Sequence, residues 1–138
     1  MKSRLTILTV LFVITSLYSQ AQITLNIIVE DLEPSTGFIL MDFRDGEDNE
    51  LMGISEKVVD NKCLITIDSL EAGKYSFKYF HDENDNKKMD KYWIGAPKEG
   101  VGFSNNAKIK FKAPPLEDTV FEVKRDTTVK CNAYYIKF

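Results

Sequence analysis

Lys74-Tyr75-Ser76-Phe77-Lys78-Tyr79-Phe80, residues 74–80, decides the fold. Tyr75, Phe77 and Tyr79 alternate with Ser76, Lys78 and Phe80. A period of two is the pattern of a strand with one face on a core, and aromatic residues favour a pleated surface. Working upstream, Glu71-Ala72-Gly73 forms the turn into this strand, and Cys63 to Asp68 alternates in the same way behind Asp60-Asn61-Lys62. Leu51 to Val59 is less patterned and is read as one short strand. Phe38 to Arg44 is a strand that is apolar on both faces at its start, closed by Asp45-Gly46 and opened by the turn Glu33-Pro34-Ser35-Thr36-Gly37. The most regular alternation is the first: Ile23, Leu25, Ile27 and Val29 against Thr24, Asn26, Ile28 and Glu30.

Downstream, the pattern breaks into a long irregular stretch from His81 to Asn106, rich in side-chain oxygens at its start and in glycine and aromatics at its end. Lys108 to Lys112 then reads as a short edge strand with lysines on one face, a charge pattern that protects an edge from pairing. Ala113-Pro114-Pro115 breaks it, and Thr119 to Lys124 and Thr127 to Phe138 supply the last two strands. No segment keeps a helical period over ten or more residues. The pattern predicts an all-β antiparallel β-sandwich of about seven strands with one long ordered loop. Its expected core includes Ile27, Ile65, Ile67, Phe77, Tyr79 and Val129.

The start of the irregular stretch carries metal-ligand chemistry. Asp82, Asn84, Asn86, Lys88 and Asp90 stand at positions 1, 3, 5, 7 and 9 of an EF-hand-like loop, with Lys88 contributing its backbone carbonyl. These are hard oxygen donors of the kind calcium takes. The glycine expected at position 6 is Lys87, and position 12 falls on Trp93 rather than on an acid, which leaves Glu99 to fold back and complete the shell. Three carboxylates among Lys87, Lys88, Lys91 and Lys98 suit a weak site, in the range of about 10⁻⁴–10⁻³ M found for extracellular modules. The competing reading is an Asx-rich turn held by its own hydrogen bonds.

Residues 1–21 read as an export signal. Lys2 and Arg4 precede an apolar run from Leu5 to Leu17, and Ser19-Gln20-Ala21 offers small residues where a signal peptidase cuts. The run falls short of the roughly 20 residues that span a bilayer, so no transmembrane anchor is expected after cleavage. The mature chain is then one domain over residues 22–138, secreted or periplasmic. Losing Lys2 and Arg4 takes the balance from 18 basic against 21 acidic residues to 16 against 21, a formal charge of −5. Such a surface is unsuited to nucleic acid. Cys63 and Cys131 both point to the apolar face of their strands, which leaves open a bridge between facing sheets or two buried thiols.

One pattern runs through the second half: Gly73 and Tyr75, then His81-Asp82-Glu83-Asn84 with Asn86 and Asp90. It continues with Gly95, Pro97, Glu99, Gly100, Gly102, Phe103, Ser104 and Asn105, and ends with Pro114-Pro115 and Glu117-Asp118. In these residues the chain resembles the DUF2141 family of secreted bacterial domains. The resemblance implies a sandwich of transthyretin or carboxypeptidase-regulatory type and an exported location, and it implies no reaction. Asp85 and Lys87 depart from it, standing where the family commonly has glycine.

Other constellations are weaker. A single His81 cannot make a zinc site, and no nucleophile stands with a base in any known motif. His81 is read as a structural strand-end residue, and Asp45, Glu47, Asp48 and Glu50 as a solvated hairpin tip. Tyr92 and Trp93, with Phe103, form either a platform for sugar or peptide or the apolar anchors of a long loop. The expected function is a non-enzymatic exported module that binds an envelope protein or a glycan. A carbohydrate- or peptide-binding module using Tyr92 and Trp93 is second, and a hydrolase with an unrecognised site third.

Overall fold

The computed structural model describes residues 21–138; the expected signal segment therefore lies outside the described residues except for Ala21. Eight strands form: β1 (Ile23–Glu30), β2 (Phe38–Asp45), β3 (Glu50–Lys57), β4 (Cys63–Leu70), β5 (Gly73–Asp82), β6 (Val101–Phe103), β7 (Phe121–Val123) and β8 (Thr127–Asn132). A 3₁₀ turn (Ser104–Asn106) and one short helix, α1 (Leu116–Thr119), join β6 to β7.

Two sheets face each other. The first runs β4-β1-β8, and the second β3-β2-β5-β6 with β7 on the upstream half of β5. Every pairing is antiparallel except β1 with β8. The inward residues of β1 (Leu25, Ile27 and Val29) have no exposed surface, and they meet Ile39 and Phe43 of β2, also fully covered. Phe43 stacks on Tyr75 at 5.3 Å, and Phe77 meets Phe121 edge-on at 5.7 Å. The expected core residues Ile27, Ile65, Ile67, Phe77 and Tyr79 are buried, and Val129 packs against them partly covered. The chain is an all-β sandwich.

Several boundaries differ from expectation. The stretch 51–59 is a full eight-residue strand, β3, paired along its length with β2. As an edge strand with little burial, it lacks a strong alternation. Lys108 to Lys112 is not a strand. Its alternation has no neighbour to complete a ladder, so the segment runs as an irregular flap beside the second sheet. The strand expected over 119–124 shrinks to β7, because Thr119 closes α1, and the last strand stops at Asn132. The eighth strand, β6, is cut from within the long irregular stretch.

Cys63 and Cys131 are free and buried. They do not face each other across the sandwich. Both register with Val29, on opposite sides of β1 in one sheet. Two strand spacings of about 4.8 Å separate them, more than the roughly 7 Å between Cα atoms that a disulfide tolerates.

Candidate functional site: the β5–β6 loop

β5 delivers Asp82 to the mouth of the loop with its side chain fully covered. Asp82 Oδ1 accepts the Asn86 N–H at 3.1 Å and Oδ2 the Lys87 N–H at 2.9 Å. Asn84 Oδ1 accepts the same Asn86 N–H at 3.2 Å, and Asn86 Oδ1 accepts the Lys88 N–H at 2.9 Å. Asx residues at alternate positions thus wind the backbone into successive turns. The winding requires a left-handed residue, and Asp85 and Lys87 take it at φ +55° and +64°. Those are the two positions where the resemblance leads one to expect glycine. The loop keeps that geometry without the glycines, at a backbone cost of roughly 1–2 kcal/mol each.

Asp90 closes the ring. Its carboxylate accepts the Asn84 amide at 2.7 Å and the Asn86 amide at 3.2 and 3.0 Å. Glu99 does fold back, and it is nearly as buried as Asp82. Its Oε1 takes the Glu83 N–H and its Oε2 the Asp90 N–H, each at 3.1 Å, so it clasps both ends of the turn. The structure therefore brings Asp82, Asn84, Asn86, Asp90 and Glu99 together. Lys88 joins the turn through its N–H. Among the described residues no three His, Cys, Asp or Glu side chains gather as a metal site, since amides supply half of the central ring. Each amide oxygen has two lone pairs and has used one on a turn N–H.

The charges around this ring are uneven. Asp82 and Glu99 have no cationic side chain within salt-bridge distance among the described residues. Lys87 turns away to Asp85 and lies over the Phe38 ring at 5.2 Å. Burial pushes the nearby Glu83 carboxyl up, and the Glu99 carboxylate reinforces the shift.

His81 is structural. Thr36 C=O, 2.6 Å from Nε2, can only accept, so Nε2 carries the proton. Nδ1 then accepts from the Tyr135 hydroxyl at 2.9 Å, and that hydroxyl accepts the Glu33 N–H at 3.0 Å. Both ring nitrogens are engaged. Gly100 and Gly102 serve packing: a Cβ would lie 2.5 Å from the Tyr135 ring at the first and 2.3 Å from the Tyr79 ring at the second.

Tyr92 and Trp93 do not form one platform. Trp93 is 96% exposed, while Tyr92 packs edge-on to Phe138 at 5.1 Å and takes Lys98 Nζ at 5.5 Å from its ring. Trp93 is therefore not an anchor of the loop either. Asp45 is a hairpin tip, its carboxylate accepting from Asn49 and Glu47 and held below its ordinary value by the Asn49 hydrogen bonds. Sequence reasoning missed a groove of about 960 Å³ on the outer face of the second sheet. Its signal was present in Leu40 and Phe80, apolar residues on the side of their strands that should face water.

No helix of the described residues is long and apolar enough to cross a membrane. No curated protein and no solved structure matches the chain. The model of the family described as "uncharacterized protein conserved in bacteria (DUF2141)" matches residues 22–130, a span that holds β1 to β7, the loop and most of β8, and the chain belongs to that family.

Proposed function

We propose that the chain is a non-enzymatic exported module whose β5–β6 loop binds calcium, and which binds an envelope protein or a glycan. One observation carries the ion: Asp82 and Glu99 are 0% and 3% exposed, and among the described residues neither has a cationic side chain within salt-bridge distance, Lys87 acting on Asp82 only from farther off. Buried carboxylates without a counter-charge are costly. A calcium ion among Asp82, Asn84, Asn86 and Asp90 supplies that charge, with Glu99 fixing the turn from behind. Export is supported by the leader-like residues 1–21, and a non-catalytic role by the engagement of both His81 nitrogens.

The test is thermal unfolding in calcium and in chelator. At calcium ten times its Kd, mass action adds about 1.4 kcal/mol, a rise of about 4–6 °C for a domain of this size. Asp82→Ala should abolish the rise. It also strips two turn N–H groups of their acceptor, so Asp90→Ala, which leaves those bonds in place, should abolish it as well. Identical melting curves in millimolar calcium and in excess chelator would reduce the loop to a polar turn.

A second reading rests on Trp93, whose near-complete exposure is unusual for so large an apolar side chain. A sugar- or peptide-binding surface centred there predicts that Trp93→Ala loses glycan-array or peptide-pulldown signal while folding normally.

A further inference from the structure

The outer face of the second sheet is the least expected surface of this molecule. Cross-strand register places Gly53, Asp42, Lys78 and Phe103 in one outward row, and Ser55, Leu40, Phe80 and Val101 in the next. In an ordinary sandwich such rows are polar and face water. Here they floor the groove of about 960 Å³, walled by residues 89–97 of the loop, by the flap 109–113 and by the chain end at 136–138. Exposed large apolar side chains gather at its rim: Ile94 at 52%, Phe111 at 105% and Phe138 at 82%.

Gly53 sits mid-strand at the groove. Its φ is ordinary, and a Cβ built on it meets nothing within 4 Å. Glycine weakens a strand interior, and it commonly marks a place where a ligand or another backbone comes close. The floor's one ion pair, Lys78 with Asp42 at 3.4 Å, is satisfied within the protein, Asp42 being held also by Arg44 at 2.7 Å. Apart from Asp42 Oδ1, little on the floor is left to pair with a peptide backbone, whose N–H and C=O groups need partners once covered. An unbranched hydrocarbon makes no such demand.

The charge at the flap chooses the other end of the occupant. Lys110 and Lys112 line the groove, are exposed, and have no acidic partner within salt-bridge distance among the described residues. They stand in a flap without acids, on a chain whose formal charge is −3. Asp42 Oδ1, buried without a hydrogen-bond partner, disfavours an anion on the floor. We propose that this groove binds a long-chain fatty acid, its hydrocarbon over Leu40 and Phe80 and its carboxylate at Lys110 and Lys112.

The experiment is calorimetric titration of the purified, delipidated protein with palmitate below its micelle-forming concentration. One palmitate per chain should bind saturably. Gly53→Phe puts a ring into the groove at a position with open space and ordinary backbone, and should weaken binding at least about tenfold without lowering the melting temperature. The double variant Lys110→Glu/Lys112→Glu, confined to exposed side chains, should weaken palmitate about tenfold and leave uncharged hexadecanol unchanged. It serves as the decisive variant if Gly53→Phe does not fold. Absence of palmitate binding, or full affinity in either variant, overturns the proposal. Binding only to phosphatidylglycerol vesicles would make the face a membrane contact instead. A concentration-dependent dimer lost in Gly53→Phe would make it an interface between two copies; either result overturns the fatty-acid assignment.

Discussion

Lys87 shows how a single residue fits a backbone that would prefer another. At φ +64° its Cβ crowds the following carbonyl, a strain of roughly 1–2 kcal/mol that glycine lacks. Comparison with Lys87→Ala separates this strain from the exposed ion pair to Asp85, since alanine keeps the Cβ and drops the charge. Glycine loses part of the gain to its freer unfolded state. Lys87→Gly should therefore unfold at higher urea than Lys87→Ala, by about 1 kcal/mol; equal midpoints would mean the loop relaxes around the lysine. Tyr135 presents the opposite case, a residue whose hydroxyl is used twice. Tyr135→Phe leaves the Glu33 N–H and His81 Nδ1 without their partner. The Glu33 bond is exposed and water can replace it, but His81 is fully buried, and losing its bond costs about 1–3 kcal/mol, read as a lower denaturant midpoint with the same slope.

At the scale of elements, Ser104 clips the 3₁₀ turn and α1 to the second sheet, while Asn105 beside it donates to Asp118 C=O and Val120 C=O and ties the turn to the end of α1. Ser104, fully buried, accepts the Phe77 N–H of β5 at 3.0 Å and donates to Thr119 C=O at the end of α1 at 2.6 Å. Ser104→Ala should cost about 1–3 kcal/mol and should raise amide exchange at Phe77 before the rest of β5. If Phe77 stays as protected as its neighbours, the clip is not what holds the two elements together. Ser104 was visible in the sequence only through the resemblance, because its partners lie 27 and 15 residues away. The strands were legible to the extent that each buries one face. β1, β2, β4 and β5 alternate in burial and were found close to their limits. β3 lies at an edge and buries little, so its pattern understated it. The flap at 108–112 alternates without pairing, which a pattern cannot reveal. β6 is three residues long, too short for a period, and two of them are buried through neighbours distant in sequence. In the loop, the Asx spacing exposed the turn itself. That Glu99 folds back was expected from ligand chemistry, but its use of backbone N–H groups to clasp the turn required the fold.

For the whole molecule, the position of β1 at the centre of the first sheet decides the chemistry of both thiols. Flanking Val29 on either side, Cys63 and Cys131 are held apart by the strand between them and closed off from water. Burial pushes the Cys63 thiol up to about 12 and the Cys131 thiol up to about 11, from 9.0. The Tyr79 phenol, buried between the sheets, is likewise pushed above its ordinary 10.0. Thiolate is the reactive form, so native protein at pH 8 should resist iodoacetamide, and denatured protein should titrate two thiols with or without prior reduction. One thiol or none before reduction would show a disulfide and contradict the register. The same shifts set a pH limit. Below about 9 both folded and unfolded chains hold these protons, and the groups contribute equally. As pH rises past about 9, the unfolded chain releases protons that the folded chain keeps, so stability must fall. The urea midpoint should therefore decline steadily above pH 9, and Cys63→Ala/Cys131→Ala should flatten that decline, whatever the double variant does to the midpoint at pH 7. An unchanged alkaline slope in the double variant would assign the effect instead to the phenols that burial raises, Tyr75, Tyr79 and Tyr135.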